Sequence, residues 1–105
     1  MRTKKDDILR FLRALKPSLE KEGIAEIGLF GSFAKGKADI ASDIDIFIKS
    51  TDKFCGKHLG FEGLIYLDEL RQSIQRRFKR KVDLCDIASF GTQRTECLLQ
   101  GAIYA

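Results

Sequence analysis

Two short stretches decide how this chain folds: residues 31–36, which read GSFAKG, and residues 42–48, which read SDIDIFI. The first predicts a turn of small residues after an apolar strand, and the second predicts a strand with two alternating aspartates. Side chains two apart on a strand share one face, so Asp43 and Asp45 project together, roughly 6.5–7 Å apart along the chain. Isoleucines occupy the other face and point into apolar surroundings.

The aspartate pair predicts a cation site beside a phosphate site. Two like charges held side by side repel each other and need cations between them. Mg²⁺ fits, because it binds one or two carboxylates together with phosphate oxygens. The turn at Gly31 and Ser32 would hold the phosphate, since backbone N–H groups at the start of a helix bind phosphate readily. The alternative for the pair is a half-exposed strand whose polar residues face water.

Four residues of the turn have properties suited to a phosphate. Gly31 lets the backbone come close to a ligand, and Ser32 adds a hydroxyl donor. Lys35 adds a point charge, and Gly36 lets the chain turn sharply away. A Gly-Ser pair also fills ordinary turns, so its value as a signal comes from the aspartates that come after it.

A third carboxylate is available at Asp83, within the apolar stretch Val82 to Leu84. If this strand lies beside the aspartate strand, Asp83 faces the same cleft. Three carboxylates, two metal ions ~3.5–4 Å apart and a triphosphate form the two-metal arrangement for phosphoryl transfer. Asp86 is three residues further on and faces away, so we expect it to cap a strand end or a turn.

Size and composition indicate an ordinary globular protein. The chain has 105 residues, of which 44% are hydrophobic and 32% charged. These values fit one domain with one core and do not fit a disordered segment. No apolar stretch approaches the ~18–20 residues of a membrane span. The N-terminal residues lack the apolar core of a signal peptide. We therefore expect a cytoplasmic protein with no membrane partner.

The cysteines and the basic residues are weaker signals. Cys55, Cys85 and Cys97 are odd in number and lack short spacings, which argues against a disulfide framework or a zinc site. The net charge is +4, and basic residues concentrate in residues 71–81. Such a run is either a nucleic-acid footprint or a solvated helix end whose cations suit the helix dipole. The lack of interleaved aromatic residues favours the helix end, so nucleic acid is not a favoured partner. An acidic protein partner is a third alternative.

Apolar residues at steps of three and four predict helices, and alternation predicts strands. We expect helices over residues 4–22, 64–78 and 92–102, and strands over residues 24–30, 43–49 and 82–87. Pro17 predicts a kink or a restart in the first helix. Residues 50–63 are expected to form a loop. This order implies an α/β (α+β) fold, a small mixed β-sheet with helices packed on it.

Several single residues have expected places in this scheme. Leu64 begins the apolar face of the second long helix. Cys97, Leu98 and Ile103 are expected to be the packing residues of the last helix and its end. His58, the lone histidine, is expected on the surface of the loop.

The residues quoted above resemble the signature of the polymerase-β-like nucleotidyltransferases, and most of all the minimal nucleotidyltransferases, the MNT family. The resemblance covers nearly the whole chain, from the leading amphipathic helix to residues 101–104. It implies transfer of a nucleotidyl group from ATP, or another NTP, to a hydroxyl, with two Mg²⁺ ions. Two positions depart from the family pattern: Lys35 stands where arginine is frequent, and Gly101 stands where many relatives carry glutamate.

The resemblance also implies roles for particular residues. Asp43 and Asp45 would bind both metal ions, and Asp83 would bind the catalytic metal and help to activate the acceptor. The nucleotide would be held by the turn and the residues just after it, namely Gly31, Ser32, Lys35, Gly36 and Ser42.

Members of the MNT family are commonly encoded beside a HEPN-domain protein and act as its antitoxin, some by transferring AMP to a tyrosine of that toxin. Larger relatives append a domain that binds the acceptor. We expect residues 1–105 to form a single minimal nucleotidyltransferase domain, whose acceptor site is either shallow or supplied by a second chain. The resemblance therefore implies a protein adenylyltransferase that is the antitoxin of a HEPN toxin. Two alternatives stay open: a non-catalytic module that neutralises its partner by association, and a nucleotidyltransferase acting on RNA ends or a small-molecule hydroxyl.

Overall fold

The computed structural model describes residues 3–39 and 41–105. Residues 1 and 2, part of the terminus expected to lack a signal peptide, and Ile40 lie outside these ranges. The helices and strands, in chain order, are α1 (Lys5–Glu22), β1 (Ile24–Phe30), α2 (Gly31–Ala34), β2 (Ile44–Ser50), α3 (Asp52–Lys57), α4 (Phe61–Phe78), β3 (Val82–Asp86), a 3₁₀ turn (Ile87–Ser89), α5 (Thr92–Leu98) and β4 (Ile103–Tyr104).

The strands form one four-stranded sheet in the order β3-β2-β1-β4. Strand β1 pairs antiparallel with both β2 and β4, whereas β2 pairs parallel with β3. The predicted small mixed sheet with helices packed on it is confirmed. The parallel pair requires a long crossover, which α3 and α4 provide.

The core lies between the sheet and the two long helices. α1 packs on β1, and α4 packs on β3. Leu12 of α1, Ile46 of β2 and Ile74 of α4 are all fully buried in this layer. Phe11 and Phe78 make an edge-to-face contact with ring centroids 5.6 Å apart, which joins the two helices. The periodic apolar positions read from the sequence therefore form the core.

Pro17 does not divide the first helix, and the predicted restart is wrong. α1 continues through it as one helix of 18 residues. A proline in a helix leaves the carbonyl four residues earlier without its N–H donor. That residue is Arg13, and both Arg13 and Pro17 are exposed, so water can satisfy the carbonyl. The predicted stop at Gly23 is confirmed, with φ of 96°.

A β-bulge interrupts the expected alternation in β1. Ile24 and Ile27 are both 1% exposed although an odd number of positions separates them. The register shifts between Ile24 and Glu26, where β1 pairs with β2. One extra residue in a strand reverses the facing of the residues beyond it, so both isoleucines reach the core.

Residues 50–63 are not the expected loop, because α3 lies within them and α4 begins three residues earlier than predicted. Phe54 of α3 is buried at 6% exposure. The N–H and the hydroxyl of Thr51 both donate to the carbonyl of Gly23, at 2.9 and 2.6 Å. A helix of six residues with one anchoring aromatic is too short to show helical periodicity in the sequence.

The C-terminal part also differs from the expectation. α5 ends at Leu98, and Ile103 belongs to β4, which pairs with β1 at Leu29. Cys97 is exposed and does not pack in the core. Leu64 is 64% exposed, so the buried face of α4 begins later in the helix than predicted. Among the described residues, no helix combines the length and the hydropathy needed to cross a membrane.

Candidate active site

The parallel pairing of β2 with β3 brings two aspartates side by side. Asp45 and Asp83 are direct partners in the register, so their side chains leave the same face of neighbouring strands. Neighbouring strands lie ~4.8 Å apart. The two carboxyl groups are within hydrogen-bonding reach of each other. The expected adjacency of the second and third strands is therefore observed, and Asp83 faces the cleft of Asp45.

Asp45 has an unfavourable environment for its charge. Burial raises the pKa of Asp45 above the usual carboxyl value, and the negative charges of Asp83 and Asp43 raise it further. Both of the other predicted carboxylates therefore act electrostatically on Asp45. Asp43 lies one residue before the start of β2, in the segment that leads into the strand.

Gly31 is required where the chain passes Asp45. Its φ is +72°, a left-handed value that other residues adopt at a cost. A Cβ at this position would overlap Oδ2 of Asp45. The turn therefore lies against the carboxylate because position 31 has no side chain. This contact joins the two stretches of sequence that predicted the fold.

The turn after β1 is the single helical turn α2, as expected. The first N–H groups of a helix have no acceptor within it, and here they come directly after the Gly31 contact with Asp45. Ser32 is half-buried, whereas Lys35 and Gly36 are exposed. The donors proposed for a phosphate therefore lie beside the carboxylates.

Lys35 and Gly101, the two departures from the family pattern, contact each other. A Cβ on Gly101 would lie 3.4 Å from Cγ of Lys35. The aliphatic part of the lysine thus passes over a glycine whose φ is +79°. The two changes share one place in the structure, which the sequence did not indicate.

Residues 37–43, which lie between α2 and β2, are called the connector. The hydroxyl of Ser42 makes its hydrogen bonds within this segment. Its Oγ accepts from the N–H of Asp39 at 2.8 Å and donates to Oδ1 of the same residue at 3.2 Å. Asp39 Oδ1 also accepts from the N–H of Ala41 at 2.9 Å. Ser42, predicted to bind the nucleotide, therefore shapes the turn that precedes Asp43 in this structure.

Asp86 and His58 lie elsewhere. Asp86 accepts from the N–H and the hydroxyl of Ser50 and from the N–H of Ala88, so it caps the turn after β3 as expected. The surface position predicted for His58 is wrong: only 15% of its side chain is exposed. Its ring packs between Phe54 and Tyr66, with centroids 4.7 and 4.8 Å away.

These interior contacts belong to a separate groove. It has a volume of about 340 Å³ and is lined by residues of α3 and α4 and by Ser50 and Asp86. Asp43, Asp45 and Asp83 are not part of its lining. This groove is thus distinct from the carboxylate cluster.

The carboxylate cluster suits Mg²⁺ by the chemistry of its donors. It offers only carboxylate oxygens, the ligands that Mg²⁺ prefers. Within residues 3–39 and 41–105, no group of three or more Asp, Glu, His or Cys side chains lies close enough together to hold a metal ion. Mg²⁺ sites in phosphoryl-transfer enzymes characteristically take one or two carboxylates and complete their shell with substrate phosphates. Asp45 and Asp83, with the α2 turn beside them, fit that kind of site.

A fold with paired carboxylates beside a phosphate-type turn is that of an enzyme that transfers nucleotidyl groups. The family described as nucleotidyltransferase domain matches residues 7–101, and the chain belongs to this family. The predicted enzyme class is therefore confirmed.

One protein of similar sequence and two solved structures of similar fold resemble this chain. The protein adenylyltransferase MntA of Thermococcus cleftensis is 28% identical over 100 residues, which cover 94% of this chain and 93% of that protein. A solved minimal nucleotidyltransferase has the same fold, with a TM-score of 0.73, 20% identity, and coverage of 97% and 96% of the two chains. A toxin–antitoxin structure with AMP-PNP has a TM-score of 0.64 at 26% identity, covering 88% of this chain and 69% of that chain.

Proposed function

We propose that this chain is a protein adenylyltransferase that acts as an antitoxin. It transfers AMP from ATP to a hydroxyl, that of a tyrosine, on a HEPN-domain toxin, and it requires Mg²⁺. The observation that carries the proposal is the in-register pair of Asp45 and Asp83 against the side-chain-free Gly31. A half-buried carboxylate that faces like charges and a phosphate-type turn is expected in a site that binds metal and triphosphate.

The similar proteins support the choice of reaction and partner. The Thermococcus cleftensis relative is named a protein adenylyltransferase. A second structure of similar fold, with a TM-score of 0.64 and 24% identity, is a toxin–antitoxin complex called MntA-HpeT. The complex with AMP-PNP holds an analogue of ATP. Together they favour a nucleotide donor and a toxin as the acceptor.

Each residue of the site has a proposed task. The first N–H groups of α2 and the hydroxyl of Ser32 bind the triphosphate, and Lys35 adds a positive charge. Gly31 and Gly36 give the turn its shape, since both have a φ of +72°. Ser42 holds the connector from which Asp43 leads into β2. Asp43, Asp45 and Asp83 hold two Mg²⁺ ions.

The chain's side chains direct the chemical step. Asp43, Asp45 and Asp83 would hold Mg²⁺, which when bound would neutralise the triphosphate and lower the pKa of the acceptor hydroxyl. The acceptor oxygen bonds to the α-phosphorus, the bond from that phosphorus to the bridging oxygen breaks, and pyrophosphate leaves. The hydroxyl proton passes to a carboxylate oxygen of Asp83, which faces the same cleft as Asp45. Asp45 and Asp43 keep the reacting groups in place.

A labelling experiment tests this function. The chain is incubated with Mg²⁺, the protein encoded by the neighbouring gene, and ATP labelled at the α- or the γ-phosphate. We expect label on the partner from α-labelled ATP alone, because adenylylation retains the α-phosphate. Asp43→Asn should remove the label. Asp68→Asn is the matched control, since Asp68 is an exposed carboxylate on α4 that bonds Arg71 and Gln72.

The other outcomes separate the alternatives. Neutralisation of the partner that survives Asp43→Asn combined with Asp45→Asn would indicate a non-catalytic module. Lengthening of an RNA primer by NTPs would indicate RNA ends as the acceptor. Label on the partner that is undiminished in Asp43→Asn would contradict the proposed site.

A further inference from the structure

We infer that Arg80 is a positioning residue, which fixes the phosphate turn, the aspartate-bearing connector and β3 relative to one another. The inference rests on the proposed function, and it assigns a task to a residue outside the motifs. Arg80 lies two residues before the start of β3, after the left-handed turn at Lys79. It reaches the connector through the backbone carbonyl of Ser42.

The contacts of Arg80 reach two segments distant in sequence. Its Nη1 donates to the carbonyl of Ser42 at 2.8 Å and lies 3.4 Å from the carbonyl of Asp39. Its guanidinium lies over the ring of Phe33, 5.4 Å from the centroid. Phe33 is buried in α2, whereas Asp39 and Ser42 belong to the connector. One half-buried side chain therefore joins the turn to the connector.

Each of these contacts is next to a residue of the proposed site. Phe33 follows Ser32, Ser42 precedes Asp43, and Arg80 lies three residues before Asp83. The adjacent backbone strengthens the arrangement, because the N–H of Ile44 donates to the carbonyl of Lys81 at 2.9 Å. The guanidinium of Arg80 and the turn that carries it thus add contacts between the segments next to the phosphate donors and the carboxylates, beyond those that the strand pairing supplies.

Ala38 packs against the core at the start of the connector, and the described residues after it form a small hydrogen-bonded turn. Asp39 and Ser42 bond mainly to each other, at exposed sites where water competes. A hydrogen bond from a charged donor is stronger than one between neutral groups. The hydrogen bond from Arg80 to Ser42 therefore attaches the turn formed by Asp39 and Ser42 to the segment that leads into β3.

The geometry favours arginine over lysine at this position. A guanidinium is planar, so it can stack on Phe33 while its N–H groups point at carbonyls in its own plane. A lysine ammonium keeps the charge but offers neither the flat face nor the fixed fork. Arg80→Lys should therefore recover only part of what Arg80→Ala loses.

Nucleotide affinity provides the first test. Binding of Mg²⁺ and AMP-PNP is measured by calorimetry for the wild type, Arg80→Ala, Arg80→Lys and Arg77→Ala. We expect Arg80→Ala to bind ~10–100-fold more weakly, as removal of a supporting contact does in metal sites, with Arg80→Lys in between. Arg77→Ala is the matched control, because Arg77 stacks on Phe78 and Phe11 at the same helix end. It should bind like the wild type. Added guanidinium ion should restore part of the affinity of Arg80→Ala.

Hydrogen exchange separates this inference from the proposed function. Amides of Ala41 and Ser42 should exchange faster in Arg80→Ala than in Arg77→Ala, whether or not the chain transfers AMP. Unchanged exchange would overturn the inference. Faster exchange with wild-type affinity would also overturn it, because the contact would then be structural only. If the wild type binds no nucleotide while Arg80→Ala still frees the connector, the proposed function fails instead.

Discussion

Two clusters that contain acidic side chains have opposite electrostatic environments. The first is the three aspartates Asp43, Asp45 and Asp83, and the second is Glu22 with Lys57 and His58. At the edge formed by β2 and β3, burial and the charges of Asp83 and Asp43 raise the pKa of Asp45. Beside α3, hydrogen bonds from His58 and Lys57 lower the pKa of Glu22. His58 Nε2 lies 2.9 Å and Lys57 Nζ 3.1 Å from Oε2 of Glu22. In the second cluster, the chain itself supplies Glu22 with a lysine cation and a histidine hydrogen bond.

Asp43, Asp45 and Asp83 form no ion pair with a basic side chain among the described residues. The ion pairs in the described part of the chain involve Asp7, Glu22 and Asp68 instead. A fold that holds like charges together without neutralising them loses stability by doing so. The arrangement is expected where a ligand provides the cations. The comparison therefore separates a carboxylate cluster suited to chemistry from one suited to joining α1 to α3.

The largest expected effect is on transfer in Asp83→Asn. Replacement of this carboxylate by an amide removes the proposed metal ligand and proton acceptor, so we expect the rate of AMP transfer to fall on the order of 10³-fold or more. Glu22→Gln is the matched control from the other cluster and should keep wild-type transfer. Radiolabel on the partner, measured over time, checks both variants. If Asp83→Asn and Glu22→Gln lost transfer activity equally, the proposed difference between the two clusters would be wrong.

Gly31→Ala should strongly destabilise the fold at the first cluster. The new Cβ would overlap Oδ2 of Asp45 at a backbone with φ of +72°. Gly36→Ala is the control for backbone strain, since Gly36 has the same φ and nothing within 4 Å of its Cβ position. We expect a loss of about 1 kcal/mol for Gly36→Ala and about 2–4 kcal/mol for Gly31→Ala. Urea unfolding measures both, and equal losses would mean that the carboxylate yields freely.

His58→Ala should destabilise the second cluster without affecting transfer. The variant loses ring contacts with Phe54 and Tyr66 as well as the hydrogen bond to Glu22. We expect a loss of about 1–3 kcal/mol in the free energy of unfolding. His58→Phe keeps the ring contacts and should recover most of it. Transfer per folded molecule should stay at the wild-type level in both variants, and a fall would connect the two clusters.

Asp45→Asn should stabilise the protein while it abolishes transfer. The amide removes a charge that burial and two carboxylates disfavour. In EDTA at pH 7 we expect Tm to rise by a few degrees, which corresponds to ~0.5 kcal/mol in a domain of this size. With Mg²⁺ and nucleotide present, the wild type should gain stability by binding and the order should reverse. A lower Tm for Asp45→Asn in EDTA would contradict the electrostatic account.

The smallest effect concerns pH and Glu22. Because the pKa of Glu22 is lowered in the folded state, its stabilising contribution is present above the unfolded pKa of about 4.3. That contribution is lost as pH falls through the lower folded pKa. Tm of the wild type should therefore exceed that of Glu22→Gln at pH 7, and the gap should narrow as the pH falls below about 4.3 toward the lower folded pKa. A gap that does not narrow as the pH falls through this range would show that the carboxylate charge is not its source.

Local patterns predicted the part of the site that depends on strands. Alternation around Asp45 and the Val82–Leu84 stretch were enough to expect three carboxylates at one cleft, and the pairing of β2 with β3 places Asp45 and Asp83 side by side. The same patterns failed where structure depends on distant contacts. His58 bonds Glu22 across 36 positions, and Arg80 bonds Ser42 across 38. Nothing in the neighbouring sequence of either residue indicates such a partner.

The helix α3 and the strand β4 were missed for a related reason. Each is too short to show a hydrophobic period in the sequence. The position of α3 depends on the burial of its own Phe54, and that of β4 depends on pairing with β1. The bulge in β1 likewise arises from pairing with β2. Tertiary contacts overrode weak local preferences in all three places.

The register of β2 with β3 has a consequence for how this family can diverge. The spacing of Asp45 and Asp83 is set by backbone hydrogen bonds, which every residue except proline can donate and accept. Substitutions along the strands therefore leave the spacing intact, and the fold itself is shared with a solved structure at 20% identity. A one-residue insertion or deletion in the turn at residues 79–81 would instead rotate Asp83 to the opposite face. Over evolutionary time, the length of that three-residue turn should be under stricter selection than its composition.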